Sequence, residues 1–209
     1  MDERGLVAGA DGRVRCFWCA GDPLYQHYHD VEWGRPTADD QRLFEKLCLE
    51  TFQAGLSWAL VLHRREALRR AFAGFDMTVL ARFTAADVAR LLADPTLIRH
   101  RGKIEATIAN ARAALATVEQ EGSLARFLWR FAPSRPLPPP RHAAELAARI
   151  SSPEAVALSR ALRARGFRFL GPKSLYAFMQ AMGFVDDHLA DCWVRPEVEA
   201  ERARFRPPS

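Results

Sequence analysis

The amino-acid sequence predicts an all-α fold. Apolar residues recur every three to four positions along most of the chain, which is the spacing of one helix face. Signals for β-strands are almost absent, because the chain has only four isoleucines and no sustained alternation of apolar and polar residues. With 209 residues, 49% of them hydrophobic and 26% charged, the chain is long enough to bury a sizeable core.

Capping residues and helix breakers divide the chain into helical segments. Residues 37–53 begin with capping residues and carry Leu43 and Leu47 on one apolar side. Residues 152–167 begin with a serine and a proline, and their helix is predicted to stop at Gly166. Between these two segments, helices are predicted at 58–72, 84–92, 103–122 and 123–131.

We predict a single domain, residues 15–194, composed of two packed helical parts. The proline-rich segment 132–142 is typical of a linker or surface loop between those parts. Residues 1–14 and 195–209 are predicted to be flexible ends. The start of the chain lacks an apolar core of signal-peptide length, and no later run is long enough to span a bilayer. These features predict a cytoplasmic protein with no membrane partner. We also expect it to be a monomer.

The charge balance permits a polyanionic partner without proving one. The net charge is +5 and the pI about 9.4, but only three of the thirty basic residues are lysines. A general bias toward arginine therefore accounts for part of the charge. The basic run at 63–70 is typical of a solvated helix face, whereas the run at 99–103 contains Gly102 and resembles an anion-binding loop.

The cysteines and histidines suggest a metal site that joins the two ends of the chain. His188 and Cys192 are four residues apart, so on a helix they would lie on one face. Four cysteines in a chain without an export signal are typical of metal ligands or reduced thiols. One cysteine and one histidine from the N-terminal region would complete a closed, structural Cys2His2 zinc site. The residues alone leave open which of Cys16, Cys19, His27 and His29 take part.

The segment 168–184 has the pattern of a helix-hairpin-helix turn. An apolar pair is followed by Gly171, Pro172 and Lys173 and then by a predicted helix. Such a turn exposes backbone N–H groups at a helix N-terminus and can bind a DNA phosphate without reading sequence. An ordinary turn between helices, with proline in the first helical position, would look the same.

Several sequence blocks together resemble the bacterial DNA-3-methyladenine glycosylase I family, from about Cys16 to Cys192. In chain order they are "RCFWCAGDPLYQHYHDVEWG", "LETFQAGLSW", "IRHRGKI" and "RGFRFLGPKSLYAFMQAMGFVDDH", followed by a cysteine. The resemblance implies an all-α fold of the helix-hairpin-helix DNA glycosylase superfamily, with a zinc site joining the terminal regions. It also implies monofunctional excision of 3-methyladenine from double-stranded DNA in base excision repair.

The resemblance assigns residues to the zinc site and to the DNA contacts. Its zinc ligands fall on Cys16, His29, His188 and Cys192, which leaves Cys19 and His27 outside the site. Asp187 is expected to hydrogen-bond the zinc ligand next to it in sequence, because metal-bound histidines commonly have such partners. The expected DNA contacts are Gly171, Lys173, Arg101 and Lys103.

The resemblance also implies a base pocket. Its base-recognising carboxylate, expected to be the catalytic residue, falls on Glu50, and its aromatic residues fall on Tyr28 and Trp58, with Tyr25 close by. By helical spacing, Glu50 lies at the edge of the apolar stripe of its helix, three residues after Leu47, although a lone glutamate there usually turns to solvent. Methylation at N3 gives adenine a positive charge, which suits a carboxylate and an aromatic face. The remaining four tryptophans are predicted to be packing residues.

Two other classes of protein stay open at the level of sequence. A zinc-stabilised DNA-binding module without catalysis would keep the hairpin and the basic loops but would need neither Glu50 nor Trp58. A hydrolase that uses the metal itself would need an open coordination position, which four side-chain ligands deny.

Overall fold

The computed structural model describes residues 1–208 and shows a mostly helical protein. Residue 209, part of the predicted flexible end, lies outside the described residues. The helices are α1 Pro23–Val31, α2 Asp40–Gln53, α3 Trp58–Ala71, α4 Met77–Leu80, α5 Ala85–Ala93, α6 Arg101–Glu121, α7 Leu124–Trp129, α8 Ala143–Ala148, α9 Pro153–Ala164, α10 Pro172–Ala181 and α11 Arg195–Arg204.

The N-terminal end differs from the prediction, because it contains a short antiparallel β-hairpin. Strands β1, Leu6–Ala8, and β2, Val14–Cys16, pair with Leu6 opposite Cys16. Strands of three residues are too short to produce a detectable alternating pattern in the sequence. The hairpin is held in place by later parts of the chain, since Trp193 N donates to Val14 O at 2.9 Å. The hairpin therefore occupies part of residues 1–14, which were expected to be flexible.

The C-terminal end also differs from the prediction, because residues 195–204 form helix α11. Val198 is fully buried, and Phe205 packs against Trp129 with ring centroids 4.6 Å apart. Glu197 accepts from Arg35 at 3.2 Å. The helix contains few apolar residues, so its packing depends on partners far away in sequence that periodicity does not reveal.

Helix α2 lies at the centre of the fold. It packs against α3, α6, α7 and α10, and it buries Leu43, Phe44, Leu47 and Phe52 completely. The Asp39 side chain caps its first turn by accepting from Arg42 N at 3.0 Å. The position of α2 is thus fixed by helices on several sides.

The end of α2 is stabilised by Lys103, for which a DNA contact was predicted. Lys103 is only 5% exposed, and its Nζ donates to Phe52 O at 2.7 Å and to Ala54 O at 2.5 Å. Burial lowers the pKa of this ammonium. The structure therefore does not support the predicted DNA contact of the Lys103 side chain, because its ammonium already donates to the carbonyls at the end of α2.

Within residues 1–208, no helix combines the length and the apolar character that are needed to cross a lipid bilayer.

Candidate functional site

A cavity of about 240 Å³ opens beside α2. The turn after α2 shapes one wall of it: Gly55 has a φ of 77°, which suits glycine, and Ser57 then caps α3, so that Trp58 begins that helix. Helices α1, α8 and α10 complete the enclosure. The lining is largely aromatic, with a few charged groups, and includes Trp18, Tyr25, Tyr28, Trp33, Lys46, Glu50, Trp58, Arg149 and Gln180.

Glu50 places a carboxylate in this cavity. The side chain is only 1% exposed, and Oε1 lies 2.8 Å from Lys46 Nζ. The other oxygen, Oε2, is buried and has no hydrogen-bond partner among the described residues. Burial raises the pKa of Glu50, and the Lys46 ammonium opposes that rise. The site therefore offers one free acceptor oxygen of a buried acid.

The aromatic residues of the cavity lie against one another. The ring centroids of Tyr28 and Trp58 are 5.1 Å apart and those of Tyr25 and Tyr28 are 6.5 Å apart. Trp58 Nε1 is buried and without a partner among residues 1–208, so an unused N–H donor accompanies the free oxygen of Glu50. An unused acceptor and an unused donor beside aromatic rings can hold a flat, polar ligand.

The structure brings together the residues predicted for a base pocket and adds others. Glu50, Tyr28, Trp58 and Tyr25 line one cavity, as do Trp18 and Trp33, for which only packing was predicted. Lys46 was missed entirely. Its signal in the sequence was a lysine one helical turn before Glu50, which is the spacing of an ion pair on one helix face.

Both carboxylate oxygens of Asp187, at the edge of the cavity, have partners within the protein. Its Oδ2 accepts from Tyr176 Oη and from Gln180 Nε2, both at 2.8 Å, and its Oδ1 pairs with Arg149 at 2.6 Å. The prediction that Asp187 hydrogen-bonds His188 is wrong. Asp186 does so instead, because its Oδ1 lies 2.8 Å from His188 Nδ1.

Cys16, His29 and Cys192 form a buried group that could hold a metal ion. Their ligand atoms lie within 4.8 Å of one another, and His29 Nε2 is 3.4 Å from Cys192 Sγ. Asp30 Oδ1 contacts Nδ1 of His29 at 2.7 Å, which leaves Nε2 for an ion. The group joins β2, α1 and the segment before α11, so it ties the two ends of the chain together.

His188 lies beside this group. Its ring centroid is 5.0 Å from that of His29, and its Nε2 is buried without a partner in the described part of the chain. Gly34, with a φ of 82°, makes room for the ring, since a Cβ there would lie 2.8 Å from Cε1 of His188. The other N-terminal candidates are elsewhere: Cys19 Sγ donates to Cys16 O, and His27 is exposed.

The remaining predicted DNA contacts lie on the surface or close to it. Arg101 begins α6, with its side chain 64% exposed and 3.4 Å from Glu105. Gly171 precedes α10, whose first turn has no side-chain cap, and Lys173 is exposed in that turn. The unused N–H groups of such a turn are free to bind an anion.

These features define a class: a helical protein with a buried acid in an aromatic cavity, suited to enclosing a planar ligand. Comparison with known proteins gives the family. The methyladenine glycosylase family matches residues 18–195. The chain is 45% identical over 182 residues to the DNA-3-methyladenine glycosylase of Haemophilus influenzae, covering 86% of this chain and 96% of that one.

Solved structures agree with that match. A crystal structure of 3-methyladenine DNA glycosylase I has a TM-score of 0.80 and 48% identity, covering 86% of this chain and 98% of that one. A variant of 3-methyladenine DNA glycosylase I in complex with 3-methyladenine has a TM-score of 0.81 and 34% identity, covering 94% and 98%. The chain belongs to the methyladenine glycosylase family.

Proposed function

We propose that this protein hydrolyses the N-glycosidic bond of 3-methyladenine in alkylated double-stranded DNA, as the first step of base excision repair. The observation that carries the proposal is the buried, unpartnered Oε2 of Glu50 in an aromatic cavity. The names of its relatives support it, because they are DNA-3-methyladenine glycosylases and one was solved with 3-methyladenine bound.

The chemistry of the substrate matches what the cavity offers. Methylation at N3 makes the base positively charged and a good leaving group, so strong acid catalysis is unnecessary. The enzyme must extrude the nucleotide, hold the cationic base and stabilise the sugar while water attacks C1′. We assign recognition of the amino edge of the base to Glu50 and stacking to Tyr28 and Trp58, with Tyr25 beside them. Full hydrogen bonding of Asp187 supports a mechanism without a second carboxylate.

DNA binding is assigned to the turn before α10 and to the start of α6. We propose that α9 and α10 form a helix-hairpin-helix motif, in which Gly171 and the first N–H groups of α10 hold one phosphate. Lys173 and Arg101, both exposed, would add charge to that contact. Lys103 is excluded from this set because its ammonium is buried.

The metal is proposed to be one structural zinc ion per chain, held by Cys16, His29, His188 and Cys192. The fit rests on the donor set and on the unpartnered Nε2 of His188 beside the group of three. Two thiols and two imidazoles fill a tetrahedral shell, so the ion would supply structural cross-linking and no reaction step. We further propose a cytoplasmic monomer with a single glycosylase domain, predicted as residues 15–194, onto which the N-terminal hairpin and α11 pack.

The test is release of free 3-methyladenine from methylated duplex DNA by the purified protein, above the spontaneous rate, with metal content measured in parallel. Release that depends on Glu50 supports the proposal. Duplex binding without release would indicate a non-catalytic DNA-binding module. Release that stops on substitution of His188 in protein that stays folded would favour a hydrolase that uses its metal.

A further inference from the structure

Lys46 places a second charge in the cavity, next to Glu50. The side chain is 5% exposed, and its Nζ lies 2.8 Å from Glu50 Oε1 and 3.2 Å from the hydroxyl oxygen of Tyr28. The same nitrogen is 3.3 Å from the centre of the Trp58 ring. All three N–H groups of the ammonium thus have a partner: a carboxylate, a phenol oxygen and an aromatic face.

A carboxylate as buried as Glu50 needs such a partner to stay ionised. Taking an unpaired carboxylate out of water favours the protonated form, and burial does raise the pKa of Glu50. Burial acts on Lys46 in the opposite sense and lowers its pKa. Because they carry opposite charges, the two groups stabilise each other's charged forms. Removing one of them would therefore shift the pKa of the other toward its neutral form.

We propose that Lys46 is a positioning residue for base excision, which keeps Glu50 charged and directs its Oε2 into the cavity. The inference rests on the proposed function, since Glu50 must be negative to select a cationic base. Because Oε1 is held by the ammonium, only Oε2 is left to face a ligand. A neutral residue at position 46 would leave both oxygens without this anchor.

The other charged groups around the pair do not replace Lys46. Glu32 is paired with Arg65 at 2.6 Å, and Glu45 is paired with Arg69 at 2.8 Å. Arg149 is bound to Asp187, and Arg42 is an exposed arginine on α2. The remaining groups are two neutral tyrosines, Tyr25 and Tyr28. Among residues 1–208, Lys46 is the basic residue that forms an ion pair with Glu50.

The direct test is titration of Glu50 by carboxyl carbon NMR in the full-length protein. Lys46→Met and Lys46→Gln remove the charge, and Lys46→Arg keeps it. In both neutral variants we expect the pKa of Glu50 to rise by about one unit or more, with little change in Lys46→Arg. Lys103→Met, which removes the other buried lysine, is the matched control and should leave the pKa of Glu50 unchanged. An unchanged Glu50 pKa in either folded neutral variant overturns the proposal.

The second readout is the pH profile of single-turnover 3-methyladenine release. Release falls as pH drops through the pKa of Glu50, so the neutral variants should lose activity at higher pH than wild type, by about the same one unit. Wild-type and neutral-variant profiles of identical position would contradict the inference. If wild type releases no base but the pKa of Glu50 still moves, the proposed function fails while the charge relation between Lys46 and Glu50 stands.

Discussion

At the scale of single residues, the cavity is defined by polar atoms that have no partner. Oε2 of Glu50 and Nε1 of Trp58 are buried and unpartnered among the described residues. A buried polar atom without a hydrogen bond costs about 1–3 kcal/mol, so a ligand that pairs with it recovers that free energy. In the proposed complex, the amino edge of the base supplies the donor for Glu50.

We predict that Glu50→Gln lowers single-turnover release of 3-methyladenine by roughly ten- to a hundredfold. Glutamine keeps the size of the side chain and one acceptor oxygen but removes the charge that favours a cationic base. Affinity for undamaged duplex should hold or rise slightly, because one negative charge is lost. Glu45→Gln is the matched control on the same helix, since Glu45 pairs with Arg69 outside the base pocket. Equal rates for wild type and Glu50→Gln would remove Glu50 from the mechanism.

At the scale of elements, helix α6 shows how two basic residues in one turn have different roles. Positions two residues apart point about 200° from each other around a helix axis. Arg101 is therefore exposed, while Lys103 points inward and donates to Phe52 O and Ala54 O. A basic run in a sequence thus does not state which of its members can reach DNA.

We predict that Lys103→Met lowers the free energy of unfolding by about 1–3 kcal/mol, because the last carbonyls of α2 lose a charged donor. Its affinity for duplex DNA should stay close to that of wild type. Arg101→Ala is the matched comparison and should show the reverse pattern, with little loss of stability and weaker DNA binding. Denaturant unfolding and duplex titration measure both effects; weaker DNA binding of Lys103→Met at unchanged stability would contradict the assignment.

The turn between α9 and α10 supports a second prediction at this scale. Lys173→Ala should weaken binding to any duplex, with or without a lesion, and should reduce the salt dependence by about one phosphate contact. The effect will be small if the backbone N–H groups of α10 hold most of the phosphate. Arg90→Ala, on helix α5, serves as control because Arg90 is an exposed arginine paired with Asp87 and is not among the proposed DNA contacts. Unchanged affinity and salt slope for Lys173→Ala would leave the hairpin lysine without a role.

At the scale of the whole molecule, the proposed metal site closes a loop of nearly the entire chain. Its ligands come from β2, α1 and the segment before α11, and each end of the protein carries structure that packs on the other. Cross-linking such distant residues removes much of the freedom of the unfolded chain. The site is therefore expected to act on folding rather than on the reaction in the cavity.

We predict that Cys192→Ser lowers the free energy of unfolding by roughly 2–4 kcal/mol, as other cross-links of long chain segments do. The variant should also bind less metal per chain. The fraction of the variant that stays folded should keep most of the wild-type rate of base release. Cys19→Ser is the matched control, since Cys19 is buried close to the site but outside the ligand group. Protein that lacks metal but melts at the same temperature as wild type would contradict a structural ion.

The sequence by itself determined the helical class, the location of the main helices and the types of residue in the site. Helical periodicity showed which face of α2 is buried and placed Glu50 at its edge, because the spacing of apolar residues is a local property. The cysteines and histidines at the two ends predicted a metal site by their chemistry. They did not by themselves separate Cys16 from Cys19, since both lie in the same short segment.

Only the tertiary structure decided how distant residues meet. It paired His188 with Asp186 rather than Asp187, buried Lys103 under the end of α2 and set Lys46 against Glu50 and Trp58. It also packed α11 against residues far away in sequence, where a flexible end was predicted. The physical reason is that periodicity assigns a residue to a helix face, whereas its partner and its exposure depend on which other helix packs there.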